Sequence, residues 1–275
     1  MKKQRVFFCL IVFISAIIGF FTILYTTTIG IGITPDSVEY VSVAKSIIRN
    51  GALFNYLGEP LVHFPPIYSI ILSGIGLLFR DILQAAKYLQ AILFVFNIIV
   101  ISLILYRITE GSLPVVLSGN LIILPAYTML YVHSYAWTEP IFILLSLLSL
   151  WLLSEYLYKP KPYFIIGASL FICLTILTRY IGLALVPTAL ISIWIMGNNI
   201  NKRKKIISSF IILSSLIGFG LWTTRNVLIA DSAINRQLVF YPINMQTISD
   251  GFFTLCSWLY IFNLDNPIHI IKSWD

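Results

Sequence analysis

Charge is what this chain has least of. Acidic and basic side chains make up 11% of its 275 residues, against 59% hydrophobic ones, and a soluble domain of this size could not hide that much apolar surface in one core. The sequence is therefore read as all-α and polytopic, a transmembrane helical bundle. Cysteine is nearly absent too: Cys9 and Cys173 fall inside apolar runs and Cys256 stands alone, which excludes a disulfide framework and a cysteine-based metal spacing. There is no internal repeat, no low-complexity tract and no soluble domain. The formal charge of +7 would point to nucleic acid in a soluble protein, but many of these basic residues sit in short loops between apolar runs, where they report orientation. Membrane lipids, not nucleic acid, are the implied surroundings.

Apolar runs long enough to cross ~30 Å of hydrocarbon occur at about 6–28, 86–106, 113–131, 140–157, 163–178, 180–197 and 206–229. They predict about seven spans. The first follows Met1-Lys-Lys-Gln-Arg5 in the charge order of a signal peptide, but its apolar part is long and lacks a convincing small-residue cleavage site, so it reads as an uncleaved helix. The run 67–79 is the pivotal one, because as a helix it reaches only ~20 Å. Kept out of the membrane, it leaves Lys2, Lys3, Arg5, Arg107, Lys159, Lys161 and Lys202-Arg203-Lys204-Lys205 together on one side, the cytoplasmic one by the positive-inside rule, at the smaller cost of Arg80 and Lys87 outside. Made to cross, it inverts everything downstream.

The non-crossing reading predicts a plasma-membrane protein with a cytoplasmic N-terminus. Its outer face receives a long first loop, 30–85, carrying juxtamembrane helices, then the turn His133–Glu139, the junction at Arg179 and the segment 231–275. Residues 1–230 form the transmembrane module. Within the first loop, Asp36 to Asn50 reads as an amphipathic helix with Val41, Ala44, Ile47 and Ile48 on one stripe and Gly51 as its stop.

Chemistry is expected where the scarce charges gather. Asp36 reads as an N-cap with Glu39 completing a capping box, a role that leaves one carboxylate oxygen free for a substrate. Glu139 is expected at the start of a helix, with Pro140 in its first turn. The topology brings Asp36, His63, His133 and Glu139 to one face, and two carboxylates with two imidazoles could hold a divalent cation, although without a fixed spacing. Arg179 and Arg225 lie at outer helix ends, where each either snorkels to the headgroups or offers its fork to a phosphate.

Pro35-Asp36-Ser37 with Tyr40 and Ala44, then Gly51, Gly58-Glu59-Pro60, Pro65-Pro66 and Tyr68, resembles the first outer loop of the GT-C polyprenyl-phosphate-sugar-dependent glycosyltransferases. Protein O-mannosyltransferases and aminoarabinose transferases, glycosyltransferase family 39, are examples. Thr138-Glu139-Pro140, Leu177-Thr178-Arg179 and Trp222-Thr-Thr-Arg225-Asn226 are similar to later landmarks in the same order, so the likeness covers about residues 1–230. It implies sugar transfer from a polyprenyl-phosphate-linked donor to an acceptor at the outer face. Asp36 and Glu139 would be the catalytic carboxylates, Asp36 as general base on the acceptor or as its organiser, and Glu39, Tyr40, His63, Arg179 and Arg225 would bind substrate. Family members are commonly about twice this length, which leaves a fragment, a shortened paralogue or a non-catalytic subunit as alternatives. A transporter, the rival from another class, predicts ionisable groups near the bilayer midplane; Pro125, Gly182 and Pro187 could break helices, but no charge accompanies them.

Overall fold

The computed structural model describes residues 2–235 and 244–259. Among them the chain is helical throughout, with isolated bridges at Gly32–Tyr135 and Phe54–Pro60 as its only β pairing. Helix α1 runs Lys2–Thr26, α2 Pro35–Asn50, α3 Ile67–Gly76, α4 Ile82–Ile108, α5 Leu113–Ile123 and α6 Tyr127–His133. There follow α7 Glu139–Tyr158, α8 Pro162–Ile176, a 3-10 turn Tyr180–Ala184 leading into α9 Leu185–Met196, then α10 Lys202–Ser214, α11 Leu216–Ala230 and α12 Met245–Leu259. Proline sets several starts: Pro35, Pro114, Pro140 and Pro162 each occupy the first turn of a helix, where a missing N–H costs no hydrogen bond. Asp36 and Glu139 are thereby fixed in first turns.

Four helical stretches are long and apolar enough to cross a membrane: Lys3–Thr26, Ile82–Ile108, Glu139–Tyr158 and Lys202–Ala230. A fifth is gained if α5 and α6, bent 62° across Leu124-Pro125-Ala126, form one span. Residues 163–178 and 180–197, expected to cross, are the shorter apolar helix α8 and the stretch Tyr180–Met196. At 15 residues, α8 reaches only ~22 Å. The run 67–79 is the 10-residue α3, packed with α2 against the first turns of α4 through Tyr40, Val41, Ala44, Tyr68, Leu72, Ile82 and Ala85.

Contacts gather the helix ends at two poles. At one, the Gln4 side chain donates to the Gly111 carbonyl at 2.8 Å, Arg107 pairs with Glu155 at 2.7 Å, and Lys205 donates to the Trp194 carbonyl at 3.1 Å. At the other, the backbone of Gly32 joins Ser134, that of Ile67 joins Leu177, and Arg225 reaches Leu61. Residues 31–80 form a layer over this second pole. The amphipathic helix of that layer is present as α2, ended by Gly51 at φ 65°, the left-handed conformation that glycine tolerates. Val41 and Ala44 of its apolar stripe pack on α3 and α4, while Ile48 stays exposed. Of the C-terminal segment, residues 236–243 and 260–275 lie outside the described residues, and α12 within it was not anticipated.

Candidate functional site

Two short segments from different returns of the chain build the second pole. Gly32 N–H donates to Ser134 O at 2.8 Å and Ala136 N–H to Gly32 O at 3.0 Å. The Trp137 indole N–H donates to Thr34 Oγ1 at 2.8 Å. Gly32 is required by close approach: a Cβ there would stand 2.5 Å from the Tyr135 ring, which is itself stacked on Trp137 at 4.7 Å. This clasp joins the start of α2 to the start of α7, and with them Asp36 to Thr138 and Glu139.

Thr34, not Asp36, is the N-cap of α2, so the expected capping box with Glu39 does not form. The reason is local: Pro35 takes the first helical position, which puts Asp36 second in the helix, two residues inward of the cap. Its carboxylate is exposed and makes no hydrogen bond or ion pair among the described residues. Tyr40, one turn on, is buried with its ring against Phe64 and Tyr68. Burial holds the Tyr40 phenol well above its usual range; the Thr138 hydroxyl and the Arg179 charge oppose that shift, while Asp36 and Glu139 add to it. Their charges are therefore felt at one hydroxyl, which stays protonated at neutral pH.

Glu139 opens α7 as expected and forms an ion pair with Arg179, whose Nη1 also donates to Thr138 Oγ1 at 3.1 Å. Both charged side chains remain about a third exposed. Arg179 is positioned by the break between α8 and the 3-10 turn, where its own extended backbone follows Thr178. Asp36, Glu139 and Arg179 thus reach the surface at this pole, whereas Tyr40 and Thr138 are buried.

Glu39 and His63 lie to one side of it. Burial raises the Glu39 carboxyl above its ordinary value; the His63 charge opposes this, and Asp36 and Glu59 add to it. His63 Nδ1 lies 3.2 Å from the Asn235 carbonyl, tying the loop to the chain after α11.

Arg225 is held by partners within the protein. Nη1 donates to Leu61 O at 2.5 Å and to Asn226 Oδ1 at 2.9 Å, and the guanidinium sits 4.8 Å from the centre of the Trp222 ring. Beside it, the Trp222 indole donates to Tyr180 Oη at 3.0 Å, and that hydroxyl donates to Val62 O at 3.2 Å. Arg225, Trp222 and Tyr180 pin the loop at Leu61-Val62.

The four residues expected to hold a cation are not brought together. His133 is fully buried in the bundle; its Nδ1–H donates to Met129 O at 2.7 Å and its Nε2 accepts from the Asn97 amide at 3.2 Å, so both ring nitrogens are occupied. Among the described residues, no three of His, Cys, Asp or Glu stand close enough to share a metal ion.

Sequence reading missed the polar seam on α4, Gln90, Asn97 and Ser102, all fully buried. Amides seven residues apart in an apolar run were the available signal. A cleft of about 480 Å³ between α1 and α4, lined by Phe8, Val12, Phe20 and Leu103 among others, is almost wholly apolar and includes none of these groups. No protein-family model, curated protein or solved structure matches the chain, so its function rests on its own residues.

Proposed function

We propose that this protein is a membrane glycosyltransferase that moves a sugar from a polyprenyl-phosphate-linked donor to an acceptor at the outer face of the plasma membrane. The observation that carries the reading is an exposed Asp36 carboxylate, unpaired among the described residues, at the same pole as the Glu139–Arg179 pair and joined to it by the Gly32–Ser134 clasp. The likeness of the surrounding motifs to GT-C enzymes points the same way.

The chain crosses the bilayer seven times in this reading. Segments 163–178 and 180–197 count as short crossings, because their ends alternate between the two poles. The pole that gathers Lys3, Arg5, Arg107, Lys159, Lys161 and Lys202–Lys205 is cytoplasmic, which puts the site outside.

Asp36 takes the proton from the acceptor hydroxyl or amine, whose lone pair attacks the anomeric carbon while the bond from that carbon to the phosphate oxygen breaks. Inversion follows from direct displacement. Arg179 offsets negative charge on the departing polyprenyl phosphate, and Glu139 holds that guanidinium in place between turnovers. Tyr40 stays a hydrogen-bond donor throughout. No step is routed through a cation.

Transport is less well supported, because among the described residues no Asp, Glu, Lys or Arg is buried, whereas coupling ions and charged substrates call for such groups near the midplane. The test is Asp36→Asn in membranes supplied with labelled lipid-linked sugars. Transfer by wild type and its loss in the variant, with insertion unchanged, is the expected result. Full transfer by Asp36→Asn removes the role given to that carboxylate, and no transfer by wild type from any polyprenyl-phosphate sugar removes the reaction.

A further inference from the structure

Behind Thr138-Glu139, two amide side chains grip the backbone on either side. Gln90 Nε2 donates to Trp137 O at 2.8 Å and to Tyr68 Oη at 3.2 Å. Two turns further along α4, Asn97 Nδ2 donates to Pro140 O at 3.0 Å and to His133 Nε2 at 3.2 Å. Both residues are fully buried. Each spends both N–H donors on these partners.

The other half of each amide has nothing to bond. Gln90 Oε1 and Asn97 Oδ1 are buried without a hydrogen-bond partner, and an orphaned polar atom in such a place carries a desolvation penalty that native structures mostly avoid. Turning either amide over would not relieve it, since oxygen would then face a backbone carbonyl. The same helix accepts this penalty twice, and both times the donors end on carbonyls flanking the pair Thr138-Glu139. Helix-bundle adhesion alone would be served by a fully satisfied contact such as the one a few residues below. There Ser102 donates to Asn120 Oδ1 at 2.9 Å, and Asn120 donates to Ser15 Oγ at 3.1 Å.

We infer that Gln90 and Asn97 are positioning residues, a clamp from α4 that sets where the Trp137–Pro140 backbone lies and thereby aims the Thr138 hydroxyl and the Glu139 carboxylate at Tyr40 and Arg179. The part of this inference that concerns turnover rests on the transferase reading. The geometric part does not. Because neither amide touches the exposed surface, loss of the clamp alters the alignment of reacting groups more than the capture of substrate.

The experiment compares Gln90→Met and Asn97→Leu with wild type and with Ser102→Ala, in nanodiscs, by backbone amide hydrogen exchange and by kinetics. Exchange at residues 134–141 is expected to rise about tenfold or more in the first two variants only, with α8–α11 unchanged. The kcat for sugar transfer is expected to fall about 10- to 100-fold at nearly constant KM. Unchanged exchange at 134–141, or a rise spread over all helices, overturns the clamp, as does a rise in KM with kcat preserved. If exchange rises locally as expected but wild type transfers no sugar, the clamp stands and the transferase reading falls. Should Asn97→Leu fail to insert, Gln90→Met carries the same test, because each amide holds its own carbonyl.

Discussion

Replacing Arg225 with methionine separates the loop-pinning role from a phosphate-binding one. Methionine keeps an unbranched stem over Trp222 and deletes the donors to Leu61 O and Asn226 Oδ1. A hydrogen bond from a charged donor contributes about 1.5–3 kcal/mol. The cation–ring contact with Trp222 lies within α11 and adds nothing to the docking of the loop. The loop should therefore lose about 1.5–3 kcal/mol of docking free energy, a change of roughly 10- to 150-fold in the ratio of docked to undocked loop. The remaining ties, Tyr180 to Val62 O and Ile67 N–H to Leu177 O, keep the change local. Amide exchange over residues 61–66 in nanodiscs should accelerate by at least about tenfold while α4 and α7 keep their protection. Exchange within twofold of wild type, together with a weakened KM for the lipid-phosphate donor, would refute the pinning argument and return Arg225 to the anion.

Gly32→Ala forces a Cβ into the Tyr135 ring; overpacking there should cost about 1–3 kcal/mol and reduce sugar transfer, measured beside thermal unfolding, with unchanged values of both arguing against the clasp. Trp137→Phe deletes the hydrogen bond to Thr34 and trims the ring stacked on Tyr135, and should cost at least ~0.5–1.5 kcal/mol, visible as a lower unfolding temperature. For Glu39, burial raises the folded-state pKa above 4.5, so its contribution to stability is complete below that pH and is lost as pH rises through the raised value. Glu39→Gln should therefore be more stable than wild type at pH 7, with the difference shrinking toward pH 4; a difference independent of pH contradicts the assignment.

Helix positions were legible in the sequence wherever an apolar run ended on proline, glycine or a basic cluster. The starts at Pro35 and Pro140 and the stop at Gly51 lie where local chemistry dictates. What periodicity could not convey was distance between returns of the chain. Asp36 looked like a cap because the spacing to Glu39 fits a capping box, yet Pro35 already occupies the first helical position and hands the cap to Thr34. His133 sat in a segment counted as part of the outer turn, but Asn97 draws it into the bundle, a pairing between α4 and α6 that no local pattern reveals. Arg225 shows the same limit, since its partner Leu61 lies 164 residues earlier. The meeting of Glu139 with Arg179 was legible only as a shared face, not as an ion pair.

That long separation also sets an order of events during synthesis. Leu61 and Val62 are made early, but the arginine and aromatic side chains that cover them come from α11 and the turn before α9. At ~5–20 residues per second, the 164 residues between Leu61 and Arg225 take about 8 to 33 s to appear. Through that interval Leu61 and Val62 wait without the arginine that completes their cover, a stage at which a chaperone or the insertion machinery would find them.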